Sequence, residues 1–515
     1  MSENRRFTIL VFVIYAALAL FWLLFGRVNQ DEGWYLYASK LVYRGQVPYR
    51  DFSYTQMPLL PYVYGLVQMP FGGSLLIGRL TSIACGLLAL GLTMAAARRL
   101  NGDQAGWAAG ALVCTNSFTI YYFTLVKTYA LTGLLLVAMA YALARWPRSW
   151  QGYALALAAT TAAVGVRLSV APALICVIAY VLWQNRQCVR RLLQWTLLAI
   201  ASAILLVVPY LLYSDVFIFN VMGHHLGKYN LEGSTLGVAL RIFVEKAYIL
   251  SEVVKQYFLV YTLIVASVAL GWQHSLRQWW QRNAVVALLL VVYTLVFVAN
   301  FVPGVAQDEY QTSLLPIAAI VAGTGWEQFV RELSARRRRD AWALLLAGCA
   351  LAPIAFGLGR GTFSPFTVQG KTLPLAQVAA AGRFVNEHTA PDSRVLTLDT
   401  YVAIEAKRDV IPGLEMSIFS LYPQISTDQA RRLRVMNAEI LLAALESGQA
   451  KAVVASETAL GIIAGAEHQD IQGFSSYSIE GSRFYAALKE RYTLAREIPY
   501  FGQFGDTLCI YLPRE

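Results

Sequence analysis

Long apolar segments recur along the first 358 residues, and they constrain the fold more than any other feature of the sequence. A bilayer core of about 30 Å needs about 20 apolar residues per helix. Only 14% of the residues are charged, against about 25% in soluble globular domains. One large soluble core is therefore excluded. We expect eleven membrane helices, at residues 7–25, 74–96, 105–122, 128–144, 151–165, 168–183, 192–213, 257–272, 284–302, 311–326 and 341–358.

The basic residues predict how these helices are oriented. Every second connection is rich in arginine, which is typical of cytoplasmic loops, and the other connections hold acids and aromatic residues. The first segment ends in Phe25-Gly26-Arg27 without a small-x-small cleavage pattern, so we expect a retained anchor. The N-terminus is predicted to be cytoplasmic and the C-terminal part extracytoplasmic, in a multi-pass protein of the cytoplasmic (inner) membrane.

The composition changes near residue 359, where charged and turn-forming residues return. Short apolar runs at 394–403, 451–456 and 507–514 predict strands, and amphipathic patterns at 375–388 and 431–448 predict helices. This alternation indicates a small α/β domain with a partly parallel sheet. The predicted fold is therefore mainly α, with a transmembrane domain at 1–358 and an extracytoplasmic α/β domain at 359–515.

Several classes of function are disfavoured by the pattern. The net charge of +11 fits the arginine bias of cytoplasmic loops, and no cluster of basic and aromatic residues suggests nucleic-acid binding. No phosphate-binding glycine loop is present. The six cysteines fit neither a zinc site nor a disulfide framework. A transporter would place acids deep within the spans and show two similar halves, and neither is evident.

The first outer loop, residues 26–73, opens with the adjacent acids Asp31 and Glu32. The following stretch GWYLYASKLVYRGQ has a rough helical stripe of apolar residues, with Lys40 and Arg44 opposite. We interpret it as an amphipathic helix that lies in the membrane interface. An N-capping role for Asp31, with Glu32 in the first turn, is the alternative to a functional role for the pair.

This loop resembles the first outer loop of the bacterial GT-C-fold glycosyltransferases, which are related to protein O-mannosyltransferases and the aminoarabinose transferase. In that family an acid follows the first span, and a tyrosine-alanine pair, a glycine and a proline-rich entry to the next span come after it. The later stretch DEYQTSLLPIAAI, residues 308–320, also resembles the family. The matching positions here are Asp31-Glu32, Tyr35/Tyr37-Ala38, Gly45, Pro58 and Pro61.

The resemblance implies an inverting transferase that moves a sugar from a polyprenyl-phosphate donor to an acceptor hydroxyl at the outer face. The acceptor would be a glycan, a lipid or a protein. Asp31 is the expected general base, with Glu32 as the second choice. A second acid is expected after the third span, but Lys127 stands in that region. A divalent cation is therefore left open as a cofactor.

The donor phosphate needs cationic partners. Our candidates are Lys127, Arg167, His224 and His225. The competing interpretations are a snorkelling interfacial lysine, a structural salt bridge for Arg167, and plain loop histidines. Adjacent histidines seldom bind one metal together, because their side chains point in different directions.

Further residues of the outer loops are predicted to contact substrate. Asp308 is also a candidate for capping the helix that follows it. Two rival functions stay open, a transporter or flippase of lipid-linked glycans and a non-catalytic membrane scaffold. The predicted substrate-binding residues are Tyr35, Arg50, Asp51, Gln56, Asp308, Glu309 and Tyr310.

Overall fold

The computed structural model describes residues 3–224, 235–273, 283–302, 306–357, 372–468 and 478–514. Its first part is built from helices joined by short connections. They are α1 (Glu3–Phe25), α2 (Gln30–Tyr43), α3 (Leu59–Gln68), α4 (Leu75–Asn101), α5 (Asp103–Cys114), α6 (Ser117–Thr124), α7 (Thr128–Arg145), α8 (Trp150–Val166), α9 (Ala171–Asn185), α10 (Val189–Leu212), α11 (Ser214–Phe217), α12 (Thr235–Gln256), α13 (Phe258–Gln273), α14 (Ala284–Ala299), α15 (Leu315–Arg331) and α16 (Ala335–Gly357).

Each of the eleven predicted spans coincides with one or more of these helices. Five helices of the described chain are long and apolar enough to cross a membrane, or six if the bent pair Leu240–Gln256 and Phe258–Ala269 forms one span. Other helices are apolar but shorter, such as Ala284–Ala299. The chain is therefore a multi-pass membrane protein, and the count of eleven spans stays a prediction.

Two breaks between helices have clear local causes. The predicted span at 105–122 is two helices, and Asn116 starts the second by accepting a hydrogen bond from the backbone N–H of Thr119 at 2.8 Å. The predicted break near Arg167 is confirmed. Helix α8 ends there because Arg167 has an extended backbone (φ −147°, ψ 115°), and a 3₁₀ turn at Leu168–Val170 leads into α9.

Helix α2 differs from the expected interfacial helix. Asn29 is its N-cap, and Glu32 closes a capping box by accepting from the Asn29 N–H. Asp31 therefore lies in the first turn and does not cap the helix. Lys40 was expected on a polar face but is 1% exposed. The interfacial interpretation was wrong because a second layer of the protein covers the polar side of α2.

That layer is the C-terminal part of the chain. It contains α17 (Pro374–Glu387), α18 (Thr400–Glu405), α19 (Thr427–Leu433), α20 (Ala438–Glu446), α21 (Glu457–Glu467) and α22 (Arg483–Arg491). Its strands are β1 (Arg394–Thr397), β2 (Asp409–Val410), β3 (Ala450–Ser456), β4 (Tyr492–Phe501) and β5 (Asp506–Pro513), in the order β2-β1-β3-β5-β4. Strand β1 is parallel to β2 and β3, and β5 is antiparallel to β3 and β4.

The predicted α/β character is confirmed, with two corrections. The predicted strand at 394–403 ends at Thr397, and α18 follows it. The predicted helix at 431–448 is two helices, because Arg434 adopts a left-handed backbone (φ 60°) and Asn437 caps the second helix. The proposed boundary between the two domains lies outside the described residues.

Contacts between the two parts converge on α2. Lys40 Nζ donates to the carbonyl of Arg408 at 2.6 Å and lies 3.0 Å from Asp409 Oδ1. The Val410 N–H donates to the hydroxyl of Tyr37 at 2.9 Å. A Cβ at Gly33 would lie 2.5 Å from Thr400 Oγ1, so glycine permits the close approach of α18. Helix α2 is thereby packed between the apolar helices and the sheet domain.

Candidate functional site

A cavity of about 750 Å³ opens beside the N-terminus of α2. Its walls come from the first outer loop, the start of α7, the turn after α8, the segment before α15 and the C-terminal domain. Most of the predicted site residues line it, namely Asp31, Tyr35, Gln56, Lys127, Arg167, His224, Asp308, Glu309 and Tyr310. The cavity is therefore the candidate functional site.

Lys127 lies at the centre of the charged groups. Its Nζ is 2.8 Å from Asp31 Oδ2 and 2.7 Å from Glu309 Oε1. Burial alone would lower the pKa of Lys127, but these two carboxylates raise it well above its ordinary value. Lys127 is therefore a fixed cation, and it does not snorkel as an ordinary interfacial lysine would.

Glu309 is held by three donors. Besides Lys127, the hydroxyl of Tyr122 donates to Oε2 at 2.7 Å and the hydroxyl of Tyr129 to Oε1 at 3.1 Å. Asp31 accepts from Trp34 Nε1 at 3.2 Å, and its side chain is 26% exposed. Asp31 thus remains open to the cavity, whereas Glu309 is more enclosed and holds Lys127 in place.

Arg167 is the second cation of the cavity and is 8% exposed. Its guanidinium donates to Ser169 Oγ and Thr128 Oγ1 and lies 5.1 Å from the ring centre of Tyr129 and 4.5 Å from that of Tyr310. Within the described part of the chain no carboxylate forms a salt bridge with Arg167. Within these residues, the interpretation of Arg167 as one half of a structural salt bridge therefore has no support.

Glu32 has a different environment from Asp31. It is 0% exposed and forms an ion pair with Arg79 of α4, which is also 0% exposed, at 2.6 Å. Its two oxygens also accept from the Arg79 Nε and from the backbone N–H groups of Asn29 and Val126. Glu32 does not line the cavity, and its hydrogen bonds fix the start of α2 to α4 and to the α6–α7 connection.

Of the other predicted residues, some lie apart from the cavity and some line it with partners of their own. Arg50 and Asp51 pair with each other at 2.7 Å on the surface and do not line the cavity. His224 Nδ1 is 2.9 Å from the hydroxyl of Tyr422. Asp308 accepts from the Glu309 N–H at 3.0 Å. The N-cap residue of the 3₁₀ segment Asp308–Leu314 is Gln307 and not Asp308. His225 lies outside the described residues.

The C-terminal domain supplies a part of the cavity wall that the sequence did not predict. Phe419, Gln503 and Phe504 border the same cavity as Asp31, although more than 380 positions separate them in the sequence. Arg79 was also not predicted, although a signal for it existed. A lone arginine in a long apolar helix must find a buried partner, and an acid at the end of the preceding span is a natural candidate.

A metal site receives little support from these side chains. Within the described residues no three histidine, cysteine, aspartate or glutamate side chains group together as ligands. All six cysteines are free thiols. The two carboxylates that approach each other in the cavity, Asp31 and Glu309, share the ammonium of Lys127 between them.

Comparisons with known proteins give a consistent fold. No protein-family model matches the chain, and the comparison with curated proteins finds no match. ArnT from Cupriavidus metallidurans in the apo state superimposes with a TM-score of 0.62 at 14% identity, over 99% of this chain and 98% of that one. The same enzyme bound to undecaprenyl phosphate gives 0.58 at 15% identity, over 97% of each chain.

A third solved structure has the same architecture. The archaeal oligosaccharyltransferase AglB from Archaeoglobus fulgidus, in complex with an inhibitory peptide and a dolichol-phosphate, gives a TM-score of 0.52 at 12% identity. The match covers 98% of this chain and 81% of AglB. These identities are low, so the likeness concerns the fold. The chain has the fold of the GT-C glycosyltransferases, as the first outer loop predicts.

Proposed function

We propose that this protein is a glycosyltransferase that transfers a sugar from a polyprenyl-phosphate donor to an acceptor hydroxyl, with inversion, at the outer face of the cytoplasmic membrane. The observation that carries the proposal is the shared cavity of Asp31, Lys127 and Arg167. It combines an accessible carboxylate with two buried cations, and one of these cations has no carboxylate partner among the described residues.

Solved structures of the same fold support the chemical class of the proposed donor. One solved structure of the same fold contains undecaprenyl phosphate and another contains a dolichol-phosphate. Both ligands are long isoprenoid monophosphates, so a sugar linked to such a phosphate is the donor that we propose here. Arg167 is suited to the phosphate because its planar guanidinium presents several N–H donors to phosphate oxygens.

In the proposed reaction Asp31 is the general base. The acceptor hydroxyl gives its proton to an Asp31 oxygen, and the acceptor oxygen forms a bond to the anomeric carbon. The bond between that carbon and the phosphate oxygen breaks on the opposite face, which inverts the centre. The released polyprenyl phosphate takes the bonding electrons, and Lys127 and Arg167 stabilise its charge.

Glu309 and Glu32 act through other residues in this scheme. Glu309 positions Lys127 through the 2.7 Å ion pair, so that the ammonium stays between the base and the leaving phosphate. Glu32 is excluded from the cavity by its pair with Arg79. We therefore assign the base to Asp31 and a positioning role to Glu32.

The test uses a strain that lacks the gene, with mass spectrometry of its surface glycans and lipids. The wild-type gene should restore a sugar modification, and Asp31→Asn should not, at equal amounts of membrane protein. Asp51→Asn is the matched control, because Asp51 lies in the same outer loop on the surface. Full restoration by Asp31→Asn would refute the assignment of the base.

The complementation test and a release assay with purified protein together separate the rival functions. A scaffold carries out no chemistry, so Asp31→Asn should leave its function intact. A flippase moves a lipid-linked glycan without making a bond, so purified protein would release no polyprenyl phosphate from the donor. Release of polyprenyl phosphate that depends on Asp31 supports the transferase.

A further inference from the structure

The connection between β4 and β5 reaches from the sheet domain to the wall of the cavity. Two residues at its tip, Gln503 and Phe504, line the cavity together with Asp31. Arg27 Nη1 donates to the carbonyl of Gln503 at 3.1 Å, and the Gln30 N–H donates to Gln503 Oε1 at 3.0 Å. The hairpin tip is thus bonded to two residues that shortly precede Asp31 in the sequence.

The hairpin is fixed on its other sides as well. The Gly505 N–H donates to the carbonyl of Phe501 at 3.1 Å, and Asp506 accepts from the Thr458 N–H at 2.8 Å. Gly502 has a φ of 68°, and a Cβ there would lie 3.0 Å from the Tyr401 hydroxyl. These contacts hold the tip in one position, so it forms a preorganised part of the wall.

Amides and aromatic rings are frequent among the side chains that line the cavity, and Arg27 lines it beside the hairpin tip. An amide side chain offers both an N–H donor and a carbonyl acceptor, which suits hydroxyl groups that donate and accept in turn. The faces of aromatic rings carry partial negative charge and attract the C–H groups of a sugar ring. The lining amides are Asn29, Gln30, Gln56, Gln307 and Gln503, and aromatic neighbours are Trp34, Phe419 and Phe504.

Two of these residues have capacity left for a ligand. Gln503 uses its Oε1 to accept from Gln30, and its Nε2 donates to no protein atom in the described chain. Phe504 is 55% exposed, so much of its ring is accessible. An exposed phenylalanine at the rim of a polar cavity costs solvation free energy, and a stacked ligand would remove that cost.

Asp31 has Lys127 as a direct neighbour, and it is connected to the hairpin tip through the adjacent residue of the chain. Lys127 contacts its Oδ2 from one direction, while the preceding residue, Gln30, is bonded to the hairpin. If the donor phosphate binds at Lys127 and Arg167, the hydroxyl that Asp31 deprotonates approaches from the hairpin. The wall near Gln503 therefore belongs to the acceptor.

We infer that the hairpin tip is the acceptor-binding wall of the cavity, that Gln503 and Phe504 contact the acceptor, and that this acceptor is a carbohydrate. This role rests on the proposed transfer reaction, because only a transferase has an acceptor. The binding site itself does not depend on turnover, and a binding measurement therefore tests it separately.

The experiment measures binding to the full-length protein in lipid nanodiscs, free of sugar-based detergents. The probes are a panel of oligosaccharides and a panel of serine- and threonine-containing peptides. We expect saturable binding of at least one oligosaccharide and of no peptide. Phe504→Ala should weaken that binding about tenfold, which corresponds to about 1.4 kcal/mol, and Phe504→Tyr should retain it because the aromatic face remains.

Two controls isolate the hairpin tip. Leu494→Ala removes an apolar side chain that is 49% exposed on β4 and does not line the cavity, so oligosaccharide affinity should be unchanged. Binding of undecaprenyl phosphate should be unchanged in Phe504→Ala and Gln503→Ala, which also verifies that these variants fold. Gln503→Ala should weaken oligosaccharide binding in the same way as Phe504→Ala.

Each other outcome overturns the inference. It is wrong if peptides bind and oligosaccharides do not, if no oligosaccharide binds, or if Phe504→Ala and Gln503→Ala bind the oligosaccharide as the wild type does. A protein that binds oligosaccharide through the hairpin but never releases polyprenyl phosphate from a donor would refute the transfer reaction alone. The two proposals therefore fail in different ways.

Discussion

The buried ion pair between Glu32 and Arg79 leads to a prediction that separates the two adjacent acids. The substitution Glu32→Gln removes the charge but keeps the shape. Both partners are 0% exposed, so the variant leaves a buried guanidinium without a counter-ion. Breaking a buried pair in this way costs about 3–5 kcal/mol, and we expect that loss in the free energy of unfolding.

The hydrogen bonds of Glu32 explain why the loss is large. Its two oxygens accept two bonds from Arg79, one from the Asn29 N–H and one from the Val126 N–H, at 2.6 to 3.1 Å. The glutamine amide offers one acceptor oxygen where the carboxylate offered two. At least one of these donors therefore loses its partner, and an unsatisfied buried donor costs about 1–3 kcal/mol.

The assay is thermal unfolding of purified protein in one detergent at one scan rate. A lower Tm is expected for Glu32→Gln, and Asp31→Asn should unfold within a few degrees of the wild type because Asp31 is partly open to the cavity. The double variant Glu32→Gln/Arg79→Met removes the unpaired charge as well. It should recover at least half of the loss in Tm.

Two results would contradict this reasoning. An unchanged Tm for Glu32→Gln would mean that the buried pair does not stabilise the fold. A normal Tm combined with complete loss of sugar transfer would mean that Glu32 takes part in the chemistry, and the base would then be reassigned.

The remaining predictions concern the cavity and the sheet domain. Arg167→Gln should weaken binding of undecaprenyl phosphate at least tenfold. Arg167→Lys should recover part of the affinity, because lysine keeps the charge but loses the planar set of donors. Equal affinities of Arg167→Gln and the wild type would refute the phosphate role. Lys127→Met should lower transfer strongly, since Asp31 and Glu309 then lie close together without a cation, and unchanged turnover would refute its role. Burial raises the pKa of Asp399 to about 6, whereas the pKa of an unfolded aspartate is near 4. The contribution of Asp399 to the free energy of unfolding therefore falls as the pH rises from about 4 to about 6. Asp399→Asn should therefore raise the free energy of unfolding at pH 7.5 by up to about 3 kcal/mol, and the Tm with it. The gain should be smaller at pH 5 and almost absent at pH 4. A gain that does not depend on pH would contradict the raised pKa of Asp399.

Some features of the fold were accessible from the sequence because they depend on local pattern. The positions of the apolar helices follow from runs of apolar residues, and the break at Arg167 follows from the cost of a charge in lipid. The location of Asp31 after the first span and of Glu309 before a late one predicts that both acids lie on the same side of the membrane, and the structure brings both to Lys127. Lys127 was a candidate phosphate ligand from the sequence, and its contact with both acids was not predicted.

Other features depend on contacts between distant segments. The burial of Lys40 requires the Arg408–Asp409 segment, more than 360 positions later. Strand β4 was missed because its residues are mostly exposed on both faces, so no apolar alternation marks it. The position of its hairpin tip near Asp31 likewise arises from tertiary packing, which no local pattern in FGQFGD predicts.

The position of α2 has a consequence for exchanging parts between relatives of this fold. The helix has 14 residues and is therefore about 21 Å long; Asp31 stands in its first turn and Lys40, which is bonded to the sheet domain, in its last. In a chimera with a foreign C-terminal domain, the surface that packs against α2, the helix of the proposed base Asp31, would no longer match. An exchange of the C-terminal domain, made to change the proposed acceptor, would have to include Gly33, Tyr37 and Lys40, which contact that domain. The unit of exchange therefore crosses the border between the two domains.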